Sequence, residues 1–230
     1  YVNNDYGKGF ADALSNAYEA GGGDVMISEA HEEGKSDYRA ELGSLAASGS
    51  QNLIILAYAS GSGQTILRQA IEAGDFVTYF GGDGMVADAL VTGIEPSAVE
   101  GMLASRQGRL ETEGTAVYEK LATDAGLDPI ASFGPQAYDA AFLLALAFEQ
   151  KGNTDREGVN EALRSVATAP GEVILPGEWD KAKQLIADGK EINYEGAGGD
   201  HEFDEAGDVS GAIVEMTIKD GVFVEVGPLK

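Results

Sequence analysis

The sequence contains no cysteine and only two histidines, and these absences exclude several kinds of chemistry. Without thiols there can be no disulfide framework, no thiolate metal site and no cysteine nucleophile. The histidines, His31 and His201, have acidic neighbours, so we expect both to lie in solvated loops rather than at a metal. No Gly-x-Ser-x-Gly, His-Glu-x-x-His or Walker A motif is present either, so no familiar catalytic motif is available.

Basic residues and long apolar runs are also scarce. Fifteen Lys and Arg stand against 39 Asp and Glu, which gives a formal net charge of −24. Such a surface repels phosphate backbones and anionic lipid headgroups, so we expect no nucleic-acid partner and no membrane-surface role. The longest apolar run, residues 140–148, is far shorter than the roughly 20 residues of a membrane span, so we expect no membrane insertion.

What is present is an ordinary globular composition. The chain has 230 residues, of which 43% are hydrophobic, enough for one large domain or two small ones. It opens on Tyr1-Val2-Asn3-Asn4-Asp5, which resembles the last residues of a β-strand entering a loop. We therefore expect that the protein has an upstream segment before Tyr1.

The first hundred residues alternate between helix and strand patterns. Residues 10–18 have helical spacing, and Gly21 ends that helix because glycine adopts a left-handed stop at low cost. Residues 24–30 predict a short strand, and Ser36 is a candidate N-cap for the next helix. The apolar faces of the two helices are predicted to be Phe10, Ala13, Leu14, Ala17 and Tyr18 in the first, and Tyr38, Leu42, Leu45 and Ala46 in the second.

Further along, residues 53–57 form a continuous apolar run, as expected for a strand that is buried on both faces. A helix pattern over residues 64–73 ends at Gly74, and residues 76–80 and 99–105 predict two more strands. This alternation predicts an α/β fold with right-handed crossovers and a doubly wound parallel sheet. In such sheets ligands bind beyond the carboxyl ends of the strands.

After residue 105 the pattern changes to helices. One of them is apolar nearly all round, which predicts that it is buried. No strong strand pattern lies between these helices, so we expect them to cover a sheet supplied by another part of the protein. Asp220-Gly221 between two β-rich runs predicts a closing hairpin. The predicted helices cover about residues 110–121, 138–146, 159–166 and 179–187.

Asp83 is the most suggestive candidate for a binding residue. It follows an apolar strand and lies among Gly81, Gly82 and Gly84, at the predicted ligand edge of the sheet. A carboxylate held there would suit a ligand ammonium group, through a charge-assisted hydrogen bond. The alternative is that Asp83 caps the helix that begins near Met85.

Other candidate sites are weaker. Tyr6 and Tyr58 follow strand-like segments and would lie at the same edge, although a tyrosine in such a position is more often a surface or packing residue. The glycine-rich turn at residues 61–63 could offer amides to an anion but does not fit Gly-x-Gly-x-x-Gly. The acidic run at residues 204–208 lacks the spacing of an EF-hand loop and predicts a turn. We therefore expect no metal and no cofactor.

The succession of segments resembles the leucine/isoleucine/valine-binding protein family. Five segments carry the resemblance, in the correct order and over essentially the whole chain. They are Asp5-Tyr6-Gly7-Lys8-Gly9, QTILRQAIEAG at residues 64–74, Gly81-Gly82-Asp83-Gly84, Ile192-Asn193-Tyr194-Glu195-Gly196 and the run at residues 203–208, with residues 133–138 as a further match.

The resemblance implies a two-lobed type I periplasmic-binding-protein fold with a ligand in the cleft between the lobes. Residues 1–104 would form most of lobe two, residues 105–208 the helical return of lobe one, and residues 209–230 a hairpin that rejoins lobe two. Lobe one would lack its N-terminal part here. The implied ligand residues are Asp83 for the ammonium group, Tyr6, Tyr58 or else Ala59 at the next position, and Phe133 at the side-chain pocket.

The function implied by the resemblance is capture of a small amino acid, branched-chain or otherwise apolar. The protein would be periplasmic, would deliver its ligand to an ABC permease in the inner membrane, and would not be an enzyme. Amides, urea-like compounds and aromatic acids stay open as ligands, because position 83 carries the shorter acid. The alternatives are a ligand-sensing domain of a regulator or receptor, and a hydrolase, which would need a nucleophile–base pair.

Overall fold

The computed structural model describes residues 1–108, 110–129, 131 and 133–229, and the chain divides into two compact units. Unit 1 comprises Tyr1–Arg106 and Val214–Lys230, and unit 2 comprises Gln107–Ile213. The boundaries at 104 and 208 that the resemblance implies refer to the lobes of a whole protein, and they stay a prediction.

Unit 1 is built on a five-stranded sheet with the strand order β1-β2-β3-β6-β7. β1 pairs with β2 and β2 with β3 in parallel, as the strand–helix alternation predicted, while β6 and β7 form an antiparallel pair. The elements of this unit are α1 (Asp5–Ala20), α2 (Arg39–Ala46), β1 (Asn52–Ile55), α3 (Gln64–Ala73), β2 (Thr78–Gly81), α4 (Asp88–Val91), α5 (Pro96–Val99), β3 (Leu103–Gln107), β6 (Ile213–Lys219) and β7 (Val222–Pro228).

The hairpin β6–β7 is confirmed. Lys219 pairs with Val222, so the loop consists of two residues, Asp220 and Gly221. Both have positive φ, 52° and 78°, which is the backbone that a two-residue turn of this kind requires. Asparagine, aspartate and glycine tolerate that backbone best, which is why the dipeptide was informative.

The start of α2 differs from its prediction. Ser36 does not cap the helix; Tyr38 is the N-cap residue, and no side-chain capping bond is made there. Instead, Gln69 of α3 accepts a hydrogen bond from the Tyr38 backbone N–H at 2.8 Å and donates one to the Ser36 carbonyl at 3.1 Å. A tertiary contact from α3 therefore replaces the local cap that the sequence indicated.

The predicted strand at residues 24–30 is wrong, because these residues form no strand in either sheet. Val2 forms an isolated parallel bridge with His31, and its N–H donates to the Leu56 carbonyl at 2.8 Å. An apolar cavity of about 490 Å³ adjoins this place and is lined by residues of 24–29, β1 and β2. The described residues supply no strand to pair with residues 24–28.

The same cavity explains why β1 is not buried on both faces. The sequence predicted a strand buried on both faces, but buried and exposed residues alternate along it, and Ile54 is 42% exposed. Ile54 lines the cavity, whereas Leu53 and Ile55 belong to the main hydrophobic core.

Unit 2 contains four helices and a pair of short strands among its described residues. These are α6 (Glu113–Asp124), α7 (Gly134–Lys151), α8 (Val159–Ala167), β4 (Glu172–Ile174), α9 (Trp179–Ala187) and β5 (Ile192–Tyr194). β4 and β5 pair in parallel, so the prediction that no strand lies between the helices is wrong. Each strand has three residues, which is too short to show a periodic pattern.

Helix α7 is only half buried within unit 2, which corrects the prediction of burial all round. Leu146 is fully buried and Leu143 nearly so, but Leu144 is 41% exposed. Its buried side packs on α8 and α9. Among the described residues, no helix is long and apolar enough to cross a membrane.

The buried side of α1 agrees only in part with the predicted apolar face, of which Phe10 and Leu14 are half-buried. Tyr18 is 53% exposed, and Ala13 and Ala17 are exposed as well, whereas Gly7 and Ala11 are buried. A Cβ on Gly7 would lie well inside contact distance of the Val2 carbonyl oxygen. The helix therefore lies against the backbone at Val2 because position 7 has no side chain.

Gly7→Ala should destabilise the protein, whereas Gly9→Ala in the same helix should not. A methyl group on Gly7 meets backbone, so we expect a loss of about 1–3 kcal/mol in the free energy of unfolding. Nothing lies within 4 Å of a Cβ on Gly9, so that change should gain about 0.5–1 kcal/mol of helix propensity. Denaturant unfolding of both variants tests this packing, and equal effects would contradict it.

Candidate functional site

Three of the predicted site residues meet at one edge of the unit 1 sheet. Tyr6 lies in the first turn of α1, Tyr58 follows β1, and Asp83 follows β2. The Tyr6 hydroxyl donates to Asp83 Oδ1 at 2.9 Å. The rings of Tyr6 and Tyr58 stack with centroids 5.1 Å apart and planes at 24°. Adjacent parallel strands end at the same edge, which brings these distant residues together.

Glycines around Asp83 allow a close approach of backbone and rings. A Cβ on Gly84 would lie 2.5 Å from the Ala57 carbonyl oxygen, and one on Gly82 would lie 2.6 Å from the Phe10 ring. The Gly84 N–H donates to the Tyr6 hydroxyl oxygen at 3.2 Å. Tyr6 therefore bridges the Asp83 carboxylate and the loop backbone next to it.

The Asp83 side chain does not cap a helix, which was the alternative prediction. A short 3₁₀ turn, Asp83–Met85, is preceded by Gly82 as its N-cap residue, and no side-chain capping bond is made there. The hydrogen bond of the Asp83 carboxylate goes to Tyr6.

The site has an uncompensated negative charge. Among the residues that the structure describes, no salt bridge involves Asp83, which is half-buried. Burial raises the pKa of Tyr6 above its usual 10, and the hydrogen bond to Asp83 raises it further, so the phenol stays a donor. A carboxylate with one neutral donor keeps lone pairs for another, and a cationic N–H donor would suit it best.

Asn4 belongs to the same group, although the sequence analysis did not select it. Its side-chain oxygen accepts from the Gly7 N–H at 2.9 Å as the N-cap of α1, and its side-chain N–H donates to the Tyr58 hydroxyl at 3.3 Å. Its position immediately before a helix was the available signal, because asparagine is a favoured N-cap residue.

The two remaining candidates lie in different surroundings. Ala59 is 3% exposed and its side chain is part of the hydrophobic core, so it can present only backbone to a ligand. Phe133 belongs to unit 2, where it is the N-cap residue of α7 with φ 59° and is 49% exposed. Their roles at a ligand site stay predictions.

His31 is not in a solvated loop, which corrects its prediction. It is 7% exposed, and its ring packs edge-on against Tyr38, which is fully buried. Burial lowers the pKa of His31 to about 4, so the ring is neutral at pH 7. Its Nε2 lies 2.8 Å from Ser62 Oγ, a pairing that the local sequence did not indicate.

The His31–Ser62 pair does not have the geometry of a nucleophile and its base. Ser62 Oγ donates to Glu33 Oε1 at 2.8 Å, so its proton points away from His31. Ser62 is 2% exposed, and a substrate could not reach it without a rearrangement. In a serine hydrolase the histidine accepts the serine proton and the carboxylate holds the histidine.

Unit 2 contains a buried carboxylate that the sequence analysis missed. Asp139 is 1% exposed and accepts hydrogen bonds from the Tyr194 hydroxyl and from the N–H groups of Ala197 and Gly198, each at 2.7 Å. His201 Nε2 lies 3.6 Å from Asp139 Oδ2, the oxygen that also accepts from the Gly198 N–H. The sequence signal for this site was an acidic residue within the largely apolar helix α7. In the structure Asp139 fixes the loop after β5.

The apolar cavity of about 490 Å³ in unit 1 is separate from this site. Its lining is mainly apolar and includes Phe10 but not Tyr6, Tyr58 or Asp83. It adjoins the unpaired segment 24–28, so we attribute it to the gap in the sheet rather than to ligand binding. Within the described ranges, no cluster of three or more His, Cys, Asp or Glu side chains is arranged to hold a metal ion.

Comparison with known families then identifies the chain. The family described as the receptor family ligand binding region matches residues 1–218. The chain belongs to this family. Among the curated relatives of the chain, a leucine-, isoleucine-, valine-, threonine- and alanine-binding protein from Pseudomonas aeruginosa is 32% identical over 164 residues, 70% of this chain and 43% of the relative.

A second curated relative is the chemotactic signal transduction system substrate-binding protein BasB of Halobacterium salinarum. It is 26% identical over 223 residues, which are 96% of this chain and 51% of the relative. The chain thus spans about half the length of these relatives.

Solved structures confirm the predicted fold class. A leucine-binding protein from Thermotoga maritima superimposes with a TM-score of 0.75 at 24% identity, over the whole of this chain and 59% of that one. A type 1 periplasmic binding protein from Bordetella pertussis gives 0.66 at 15% identity, over 98% of this chain and 59% of that one. The fold is therefore that of the type I periplasmic binding proteins.

Tyr6→Phe should destabilise unit 1 although it keeps the stacked ring. The change removes the donor to Asp83 and the acceptor of the Gly84 N–H, so we expect a loss of about 1–3 kcal/mol in the free energy of unfolding. Tyr18→Phe, at an exposed ring of the same helix, is the matched control and should change it by less than about 0.5 kcal/mol. If both variants unfold alike in denaturant, the Tyr6 hydroxyl does not stabilise the loop.

Proposed function

We propose that this chain is part of the substrate-binding component of an ABC importer that captures a small apolar amino acid. Asp83 carries the proposal. It is a half-buried carboxylate that is held by Tyr6 and has no cationic partner among the described residues. A ligand ammonium group would supply the missing positive charge and its N–H donors.

The aromatic pair beside Asp83 suits an amino acid. Tyr6 and Tyr58 present stacked rings, and Tyr58 is 37% exposed. An ammonium group near these rings would also gain a cation–π interaction. Among the proteins with the same fold, one is bound to isoleucine and one to valine, and another is bound to benzoate, which has no ammonium group. Because the fold accepts both kinds of ligand, the carboxylate at position 83 favours the amino acid here.

The proposal includes a periplasmic location and an ABC permease of the inner membrane as partner. The structural neighbours include solute-binding proteins of ABC transporters, which supports this partner. No bond of the ligand is made or broken in this function. The Ser62 hydroxyl donates its proton to Glu33 and not to His31, so the pair is not arranged for hydrolysis, which agrees with a binding function.

A second candidate function is delivery of the ligand to a chemotaxis receptor. It is favoured by the relative from Halobacterium salinarum, whose match covers 96% of this chain. Ligand capture is common to both functions. Loss of amino-acid uptake on deletion of the gene would support the importer, and loss of taxis with intact uptake would support the sensor.

Asp83→Asn tests the assignment of the ammonium site. Asparagine keeps the size of the side chain but removes its charge, so a bound ammonium loses its partner. We expect the full-length protein to bind L-leucine more weakly by about 2–5 kcal/mol in isothermal titration.

Asp75→Asn is the matched control, because Asp75 is an exposed acid in a loop of the same unit. It removes the same charge from the protein and should leave the dissociation constant unchanged. Equal affinities of the Asp83→Asn variant and the unmodified protein would remove Asp83 from the ligand site.

A further inference from the structure

One serine, Ser62, hydrogen-bonds the turn that follows Tyr58 to Glu33. This turn, Ala59–Gly63, contains Ser62, which is 2% exposed. Ser62 donates twice to one carboxylate: Oγ to Glu33 Oε1 at 2.8 Å, and the backbone N–H to Glu33 Oε2 at 2.9 Å. Both the side chain and the backbone of the turn are therefore fixed by Glu33.

His31 completes the group. Its Nε2 lies 2.8 Å from Ser62 Oγ. Because the serine proton is donated to Glu33, Ser62 Oγ must accept from His31, which places the imidazole proton on Nε2. The edge-on contact with Tyr38 holds the ring in this orientation.

Glu33 also packs on the backbone of the turn. A Cβ on Gly61 would lie 2.5 Å from Glu33 Oε2, so the carboxylate occupies the place where a side chain would be. The N–H groups of Gly61 and Gly63 both donate to the Tyr58 carbonyl, at 2.9 and 3.0 Å. The turn that Glu33 holds is thus closed directly onto Tyr58.

His31 is also connected to Tyr58 through Asn3 and Asn4. The His31 carbonyl accepts from the Asn3 N–H at 2.9 Å, and the side chain of the next residue, Asn4, donates to the Tyr58 hydroxyl at 3.3 Å. His31 is therefore bonded to both segments that place Tyr58 beside Tyr6.

We propose that His31, Glu33 and Ser62, here called the serine latch, are positioning residues of the amino-acid site. The inference rests on the proposed function. The latch fixes the turn at residues 59–63, and the turn fixes the Tyr58 ring against Tyr6 and next to Asp83. None of the three residues is among the candidate ligand contacts, so the latch acts through Tyr58.

Two variants open the latch with little risk to folding. Glu33→Gln keeps the shape of an exposed side chain but replaces one acceptor oxygen with a donor. His31→Leu fills the buried space with an apolar group and removes the N–H donor. In each variant we expect faster amide hydrogen exchange at residues 60–63. We also expect about tenfold weaker binding of L-leucine, because one hydrogen bond to a charged or buried group is lost.

Two further variants separate positioning from mere packing. His31→Gln keeps an N–H donor, and it should recover most of the loss seen in His31→Leu. If His31 only filled space, leucine would serve at least as well as glutamine. Glu19→Gln removes an exposed carboxylate at the C-terminal end of α1, and it should match the unmodified protein in exchange and in binding.

Unchanged exchange at residues 60–63 in Glu33→Gln and His31→Leu would overturn the latch. Faster exchange with an unchanged dissociation constant would also overturn the proposal, because the turn would then not position the site. If the unmodified protein binds no amino acid, it is the proposed function that fails. Exchange alone then decides whether the latch holds the turn.

Discussion

The candidate site depends on the hydrogen bond from the Tyr6 hydroxyl to the Asp83 carboxylate. Tyr6 lies in the first turn of α1 and Asp83 follows β2, so this bond joins the helix to the carboxyl edge of the parallel strands. It also leaves the carboxylate with one neutral donor and no counterion among the described residues. A half-buried charge in that state costs free energy until a cation binds it, which is what a receptor for an ammonium group requires.

Close backbone approaches make this bond possible. Gly7 lets α1 lie on the backbone at Val2, and Gly82 and Gly84 let the Asp83 loop approach Phe10 and the Ala57 carbonyl. Side chains at these positions would push the helix away from the loop. The proposed serine latch acts on the other ring of the pair. It fixes the turn after Tyr58 and so keeps that ring stacked on Tyr6.

Much of the fold and part of the site could be predicted from local patterns. The run at residues 64–73, the Asp220-Gly221 hairpin and the strand ends before Tyr58 and Asp83 all have short-range signals, and the structure contains them. Since carboxyl ends of parallel strands share an edge, the meeting of Tyr6, Tyr58 and Asp83 followed from topology.

Most failures arise from contacts between residues distant in sequence, and one arises from the absence of such a contact. His31 was expected in solvent because its neighbours are acidic, yet Tyr38 and Ser62 bury it. Residues 24–30 have strand character but no paired neighbour along residues 24–28, and Gln69 replaces the Ser36 cap through a contact between helices. Asp139 is held by a loop more than fifty residues away along the chain. None of these partners leaves a periodic signal in the sequence.

The central claim is that Asp83 recognises an ammonium group, and the most direct test changes the ligand instead of the protein. L-leucine and its 2-oxo analogue, 4-methyl-2-oxopentanoate, share the carboxylate and the side chain and differ at the ammonium group. Isothermal titration of the full-length protein with both should show binding of L-leucine and at least about 30-fold weaker binding of the oxo acid, the smallest loss expected for an unpaired buried charge. Binding of the oxo acid with an affinity equal to that of the amino acid would contradict the account.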